Sequence, residues 1–390
     1  MLNVLVAAVL IQGLVQGNPQ PQHLWAIALP DDVRAFAIAQ GANCVTASTR
    51  SRAFVFGING ETLWETTLPE PVDDMVTRGT IVVAPSCDWV AVWTGTNSPH
   101  VQVLSRNGLR QVVPLAITEG DQVERRTWTP RVLDISSDGE YLVVGTEFDH
   151  LAIITKDGVL RERIRVSELG TPVVAQFAPA SPLLIVTGDY AVGVARLDGS
   201  WAWRREVSLA QIAANRDQTS FAGRFVTSHG PAVGTVEMLG VSGKTRWKRN
   251  NIWDPAIAVA PNGSFVAFSG SGVGYDNQWP VSDGHDRVWL VDRNGRTLIR
   301  RDISGRVDQI SDGQCIILRE PALGNLVGRD VRLREVWRLD VAGGSDPVFL
   351  RSSSAVVIFT RGRLEAYGLP TCRISSAAAG ASQSKPRPRQ

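Results

Sequence analysis

A dominant sign of charge is missing from this 390-residue chain. Lys and Arg total 40 against 38 Asp and Glu, so the molecule as a whole sets up no field that would hold nucleic acid or an anionic membrane by counterion release. A general polyanion binder is set aside, and no nucleic-acid partner is expected. Cysteine is scarce, with four in all, and none stands in a Cys-x-x-Cys or Cys-x-x-Cys-His pattern, which removes the haem-attachment signature. Catalytic signatures are missing as well: there is no G-x-S-x-G elbow, Walker loop or H-E-x-x-H. Gly270 to Gly274 is glycine-rich, but it ends a strand and opens no helix, so it is no dinucleotide site.

What the chain does have is turns. It holds 36 Gly and 12 Trp, a composition suited to many short strands with large apolar anchors. The clearest stretch is Arg131 to Val166, RVLDISSDGEYLVVGTEFDHLAIITKDGVLRERIRV. Its four short apolar runs are joined in pairs at Asp138-Gly139 and Asp157-Gly158, the residue pairs favoured by type I′ hairpin turns. It reads as a four-stranded meander.

Its turns recur at intervals of roughly forty to fifty residues, the period of a propeller blade. Inner turns, joining first and second strands, are AQGANC (Ala39 to Cys44), APSCDW (Ala84 to Trp89), SSDGEY (Ser136 to Tyr141), APASPL (Ala178 to Leu183), APNGSF (Ala260 to Phe265) and SDGQC (Ser311 to Cys315). Outer turns, joining third and fourth strands, fall at Asn59-Gly60, Asn107-Gly108, Asp157-Gly158, Asp198-Gly199, Ser242-Gly243 and Asn294-Gly295. Two further units lack the glycine turn, one over Asn325 to Leu339 and one whose last strand, Arg363 to Tyr367, has no successor. His23 to Leu29 supplies the missing strand, and its pairing with Arg363 to Tyr367 closes the ring and removes an exposed sheet edge. The expected fold is all-β, a single eight-bladed propeller of four-stranded antiparallel blades, or seven if the unit at Asn325 is an elaborated loop.

The ends read differently. Leu2 to Val15 is an apolar run too short to span a bilayer, followed by a small residue and a proline-broken polar stretch. Residues 1–17 are therefore expected to be a signal peptide and 18–22 a linker, with the propeller over 23–370. Residues 371–390, rich in Ala, Ser and Pro, cannot bury a core and are expected to be a disordered tail.

Four positions after the turn glycine, the outer strand carries Trp64, Trp203 and Trp247, with Trp25 and Trp337 in the equivalent place. Gly-x-x-x-Trp after a short strand resembles the PQQ-like repeat family, while inner turns such as Ser136 to Leu142 are similar to WD40-type repeats. The resemblance covers roughly residues 23 to 368 at repeat level. It implies that these five tryptophans dock one blade on the next, a role their size supports. Val112, Glu162 and Ile299 depart from it. Without adjacent cysteines the chain does not match the family's alcohol dehydrogenases. The resemblance implies outer-membrane assembly scaffolds as a precedent.

Candidate ligand-binding residues gather before third strands and in two long insertions. His100, His150, His229 and His285 each precede a third strand, with Asp149 and Asp286 beside two of them. Blade sheets about 10 Å apart would let only neighbouring histidines share an ion, and no metal site is expected. The insertions, Ala116 to Thr129 and Gly270 to Asp286, are longer than ordinary loops and hold Trp128, Tyr275 and Trp279. Cys44 and Cys315 read as small core residues, and neither Cys87 nor Cys372 has an obvious partner by spacing, although an oxidising compartment would allow one disulfide in the chain. The sequence thus points to a periplasmic or secreted monomer, without cofactor or catalytic residues, binding a protein, peptide or glycan through its loop face. The alternative is a quinoprotein-like or metal-assisted propeller enzyme.

Overall fold

In the computed structural model, residues 19–372 are described, apart from 30–32, 34, 40–43, 73–80, 94–99, 115–131, 146–149, 167–171, 179–182, 189–190, 207–208, 216–219, 227–232, 241, 277–278, 312–313, 321–323, 342–346, 351–354 and 361–362. The expected signal segment, the tail beyond 372, and the insertion Ala116 to Thr129 with Trp128 lie outside the described residues.

Thirty-one strands form seven antiparallel sheets among the described residues, six of four strands and one of seven. The seven-stranded sheet contains two meanders that share one long strand, Thr245–Val259. Its first part pairs back to Val233–Gly240 and its second part forward to Phe265–Asp276. Counted as sheets the ring has seven blades, the alternative left open by the sequence. The eight sequence units are nevertheless all present as meanders, numbered here 1 to 8 and beginning at Ala35–Ile38, Ile81–Val83, Val132–Ile135, Pro172–Phe177, Leu209–Ala214, the second half of Thr245–Val259, Arg306–Ile310 and Pro347–Leu350. The weak unit at Asn325 is no loop, since Leu326–Arg329 and Glu335–Leu339 are its third and fourth strands.

First strands of successive units approach one another, unit 8 against unit 1, 1 against 2, 2 against 3 and 3 against 4. They therefore surround the axis, and fourth strands form the circumference. Unit 8 is completed by Gln22–Ala28, which runs antiparallel to Arg363–Gly368 with His23 opposite Tyr367 and Ala28 opposite Arg363. Removing residues through Leu29 is expected to lower the melting temperature by several degrees and to expose the edge of Arg363–Gly368. Removing residues only through Gly17 should leave the melt unchanged, and equal melts of the two truncations would refute closure by this strand.

The outer turns differ from the type I′ expectation. Positive φ is confined to the glycine, as at Gly60 (86°), Gly158 (82°) and Gly295 (89°), and does not extend to Asn59, Asp157 or Asn294. In unit 3 the Gly158 amide donates to the Thr155 carbonyl at 2.8 Å and the Thr155 amide to Val159 at 2.9 Å. This is a type I turn closed by a left-handed glycine, and the extra residue produces a bulge. A register shift follows in the third/fourth-strand pairs of units 1 to 7.

That glycine has a second task. A methyl group built on Gly243 would lie 2.6 Å from Trp203, and one on Gly295 would lie 2.9 Å from Trp247. The indole of one unit covers the turn glycine of the next. Trp25 sits likewise over Gly60, and its Nε1 donates to the Ile58 carbonyl. Trp64 reaches unit 2 by a different contact, donating from Nε1 to the Cys87 carbonyl at 2.7 Å. Trp337 lies against Gly328 of its own unit and joins a cluster with Val356 and Ile358 of unit 8. All five side chains are buried.

One seam inverts the arrangement. Unit 6 has Ile299 in the tryptophan slot, and unit 7 has Leu333 at the left-handed turn position, with φ of 58°. The two share one apolar cluster, in which Leu333 is fully buried. The bulk has moved from the outer strand to the turn, so the two sequence irregularities compensate each other.

The cysteines correct the sequence reading. Cys44 is bonded to Cys87 and Cys315 to Cys372, so all four are paired. Cys44 opens the second strand of unit 1 and Cys87 occupies the inner turn of unit 2; Cys315 precedes the second strand of unit 7, and Cys372 follows the third strand of unit 8. Each bond crosses a seam. Spacing along the chain could not show this, because the partners are neighbours only after the units stack side by side.

Candidate functional site

The insertion expected as a loop over Gly270 to Asp286 is a β-ribbon. Strands Phe265–Asp276 and Trp279–Asp292 stay paired to Asp276 opposite Trp279. From Val273 onward the first strand pairs only with the second, past the point where Gly272 meets Ile252. The ribbon thus outruns its own blade. Asp276, Val281, Asp283, His285 and Asp286 are exposed along it. Tyr275 and Trp279 lie at its tip, opposite Pro280 and Asp276 respectively.

Polar bonds stiffen its base. Asp283 Oδ1 accepts from the backbone amides of His285 (3.0 Å) and Gly272 (3.1 Å), and Oδ2 accepts from Arg287 Nη1 at 2.6 Å. The His285 amide, followed by the Arg287 guanidinium, holds the Asp283 carboxyl below its ordinary range. It therefore keeps its charge, and the clamp, until the pH falls below that of an ordinary aspartate.

A cavity of about 480 Å³ opens at the foot of the ribbon, between units 6 and 7. Trp253 pairs with Ser271, and Ser271 with Asp286. Residues directly opposite in antiparallel strands project to the same side, so these three make one row along the cavity floor. Asp286 accepts from the hydroxyls of Ser271 (2.9 Å) and Ser304 (3.2 Å). Unit 7 contributes Gly305, Arg306 and Arg319 to the wall. Arg319 Nε stands 2.9 Å from Asp308, and Asp254 bridges Arg224 at 3.0 Å and Arg306 at 3.6 Å. Burial pulls the Arg224 guanidinium down, Asp254 pulls it up, and Arg306 opposes Asp254. Asp254 holds a left-handed backbone, φ 40°, a conformation that costs energy for any residue but glycine and gathers at functional sites.

The remaining candidates scatter. His100 is buried, with Nε2 2.9 Å from Glu70 Oε2, inside unit 2 rather than on an open face. His150 heads its strand opposite Arg165. Asp149 and His229 lie outside the described residues. Among the described residues no three His, Cys, Asp or Glu side chains gather as a metal site. The ribbon brings together Tyr275, Trp279, His285 and Asp286 but none of the other histidines. Sequence reasoning missed Trp253, Asp254, Arg306 and Arg319. The one signal was Asn-Asn-Ile-Trp-Asp-Pro at 250–255, a polar break inside an otherwise strand-like run. Chemically the cavity offers paired charges, hydroxyl groups and an indole. The hydroxyls of Ser271 and Ser304 both donate to the Asp286 carboxylate.

The fold is that of a β-propeller built from antiparallel meanders. No family model matches the chain, and no curated protein matches it. Among solved structures, BamB from Moraxella catarrhalis is similar at TM-score 0.57 and 13% identity, over 90% of this chain and 98% of that one. KlHsv2 with loop 6CD replaced by a Gly-Ser linker aligns at TM-score 0.46 and 13% identity, over 84% of this chain and 88% of that one. At such identities the likeness shows the architecture alone. No helix among the described residues is long and apolar enough to cross a membrane.

Proposed function

We propose that this chain is an exported, non-catalytic propeller scaffold that binds a protein or peptide partner through the ribbon and the cavity at its foot. The observation that carries the reading is the ribbon itself. Among the described residues its outer half pairs with no further strand of its blade, which leaves its Gly-Ser-Asp stem and its aromatic residues to serve something outside the ring. Unpaired strand edges along it offer main-chain hydrogen bonds to an extended segment. Pairing of all four cysteines across seams supports an oxidising compartment, periplasmic or extracellular.

The test places a photo-crosslinking residue at Asp276 or Val281 in the native host. A discrete crosslinked species is expected, and it should vanish when residues 273–282 are replaced by a two-residue turn that leaves the melting temperature unchanged. Crosslinking that survives the replacement would sink the ribbon as the binding element. Acid trapping of thiols in the same cells checks export separately: four alkylatable cysteines in the native protein would contradict it.

A further inference from the structure

Charge is balanced in the chain but not around the ring. In units 3 to 6 the outer strands begin LRERIR, WAWRRE, TRWKRNN and TLIRRD. Together these carry ten cationic side chains and three acids. The outer strands of units 1, 2, 7 and 8, TLWETT, GLRQVVP, EVWRL and QHLWAIA, carry two of each. The whole chain has a formal charge of only +2. Half of the circumference is therefore a basic arc, within which Arg205 is paired with Glu237 and Arg204 approaches Glu206.

The arc is exposed. Arg161, Arg163 and Arg165 alternate with Glu162 and Ile164, so they share one side of their strand at a repeat of about 6.6 Å. Arg246, Lys248 and Arg249 flank the buried Trp247 and are exposed. Among the described residues, Arg163, Lys248 and Arg301 form no ion pair with an acid. Leu160 and Leu298, both exposed, add apolar surface at either end of the arc.

We propose that the circumference over units 3 to 6 binds an anionic polysaccharide, whose carboxylate or sulfate groups bridge from one outer strand to the next. Shape decides against a membrane, because a flat bilayer meets a convex rim over one or two blades, whereas a flexible polymer follows all four. Single-stranded nucleic acid calls for exposed aromatic faces on which bases stack, and here Trp203 and Trp247 are buried in the seams and Trp201 is half-buried against the neighbouring core. Guanidinium groups match carboxylate and sulfate in paired hydrogen bonds. The basic surface stands independently of the ribbon; the choice of glycan over nucleic acid rests on the exported reading.

The test measures binding of fluorescent polygalacturonate and of heparin to the intact protein across a salt series, with neutral dextran, single-stranded DNA and anionic phospholipid vesicles alongside. Both acidic glycans should bind, and affinity should fall steeply with salt, as expected when several cations release counterions. The triple variant R163E/K248E/R301E should weaken binding at least about tenfold, given that each neutralised contact contributes to the salt slope. R52E/R332E/R363E, which changes net charge equally outside the arc, should stay within about threefold on the same basis. Matching melting temperatures establish that both variants fold. Equal losses in the two variants, no glycan binding at low salt, or tighter binding to DNA or vesicles would each overturn the proposal. A ribbon-deleted protein should keep full glycan affinity, so failure here and failure of the loop-face reading give different results.

Discussion

Reduced under native conditions, the protein is expected to unfold at a markedly lower denaturant concentration than its oxidised form. The Cys44–Cys87 bond closes a separation of 43 residues and Cys315–Cys372 one of 57. Cross-links of that span restrict the unfolded chain enough to contribute about 2–5 kcal/mol each. Both are placed to matter in the folded ring as well. One ties unit 7 to the closing unit 8, the other ties unit 1 to unit 2, and between them the non-covalent closure is made by Gln22–Ala28. Urea unfolding of the wild type with and without reductant, beside C44S/C87S and C315S/C372S, measures each contribution. Coincident transitions for oxidised and reduced protein would show that the seams hold without them.

Replacing Trp64, Trp203 or Trp247 by Ala is the next largest expected loss, roughly 3–5 kcal/mol, the range for removing a large buried aromatic. A loss below about 1 kcal/mol would contradict the docking role and match an ordinary surface change. The structure adds a sharper signature. Gly243→Ala meets two penalties in the wild type, a left-handed backbone and collision with Trp203. In a Trp203→Ala background only the backbone penalty remains, about 1–2 kcal/mol. The two substitutions should therefore be strongly non-additive, and simple additivity would mean that indole and glycine are not coupled.

Much of the architecture was legible because turns are local. Asn-Gly and Asp-Gly pairs marked the hairpins, and the orphan strand at His23 to Leu29 found its partner because a ring leaves a single gap to fill. The turn type was misread for a related reason: Asp-Gly fits both the two-residue turn and the bulged one, and only the register of the flanking strands separates them. The cysteine pairs escaped because seam neighbours are set by stacking, not by spacing. The ribbon escaped because Gly, Ser and Asp have low strand propensity, yet paired backbones sustain it. Of the candidate site, the aromatic and acidic residues on the ribbon were readable. Asp254 and Arg306 were not, since each lies at a junction between units and acquires its role from the neighbour it faces.

The seam between units 6 and 7 has a consequence for how the ring could be rearranged. Its fit depends on Ile299, smaller than an indole, facing Leu333, larger than a glycine, whereas Trp203 requires a bare glycine opposite. Unit 7 set after unit 4 would drive Leu333 into Trp203, and unit 5 set after unit 6 would leave Gly243 facing a void beside Ile299. The boundary between units 6 and 7 therefore rejects the neighbours that the Trp203–Gly243, Trp247–Gly295 and Trp25–Gly60 boundaries, which share one pattern, would accept. The units share one fold, yet units 6 and 7 are fixed as neighbours by the side chains where they meet.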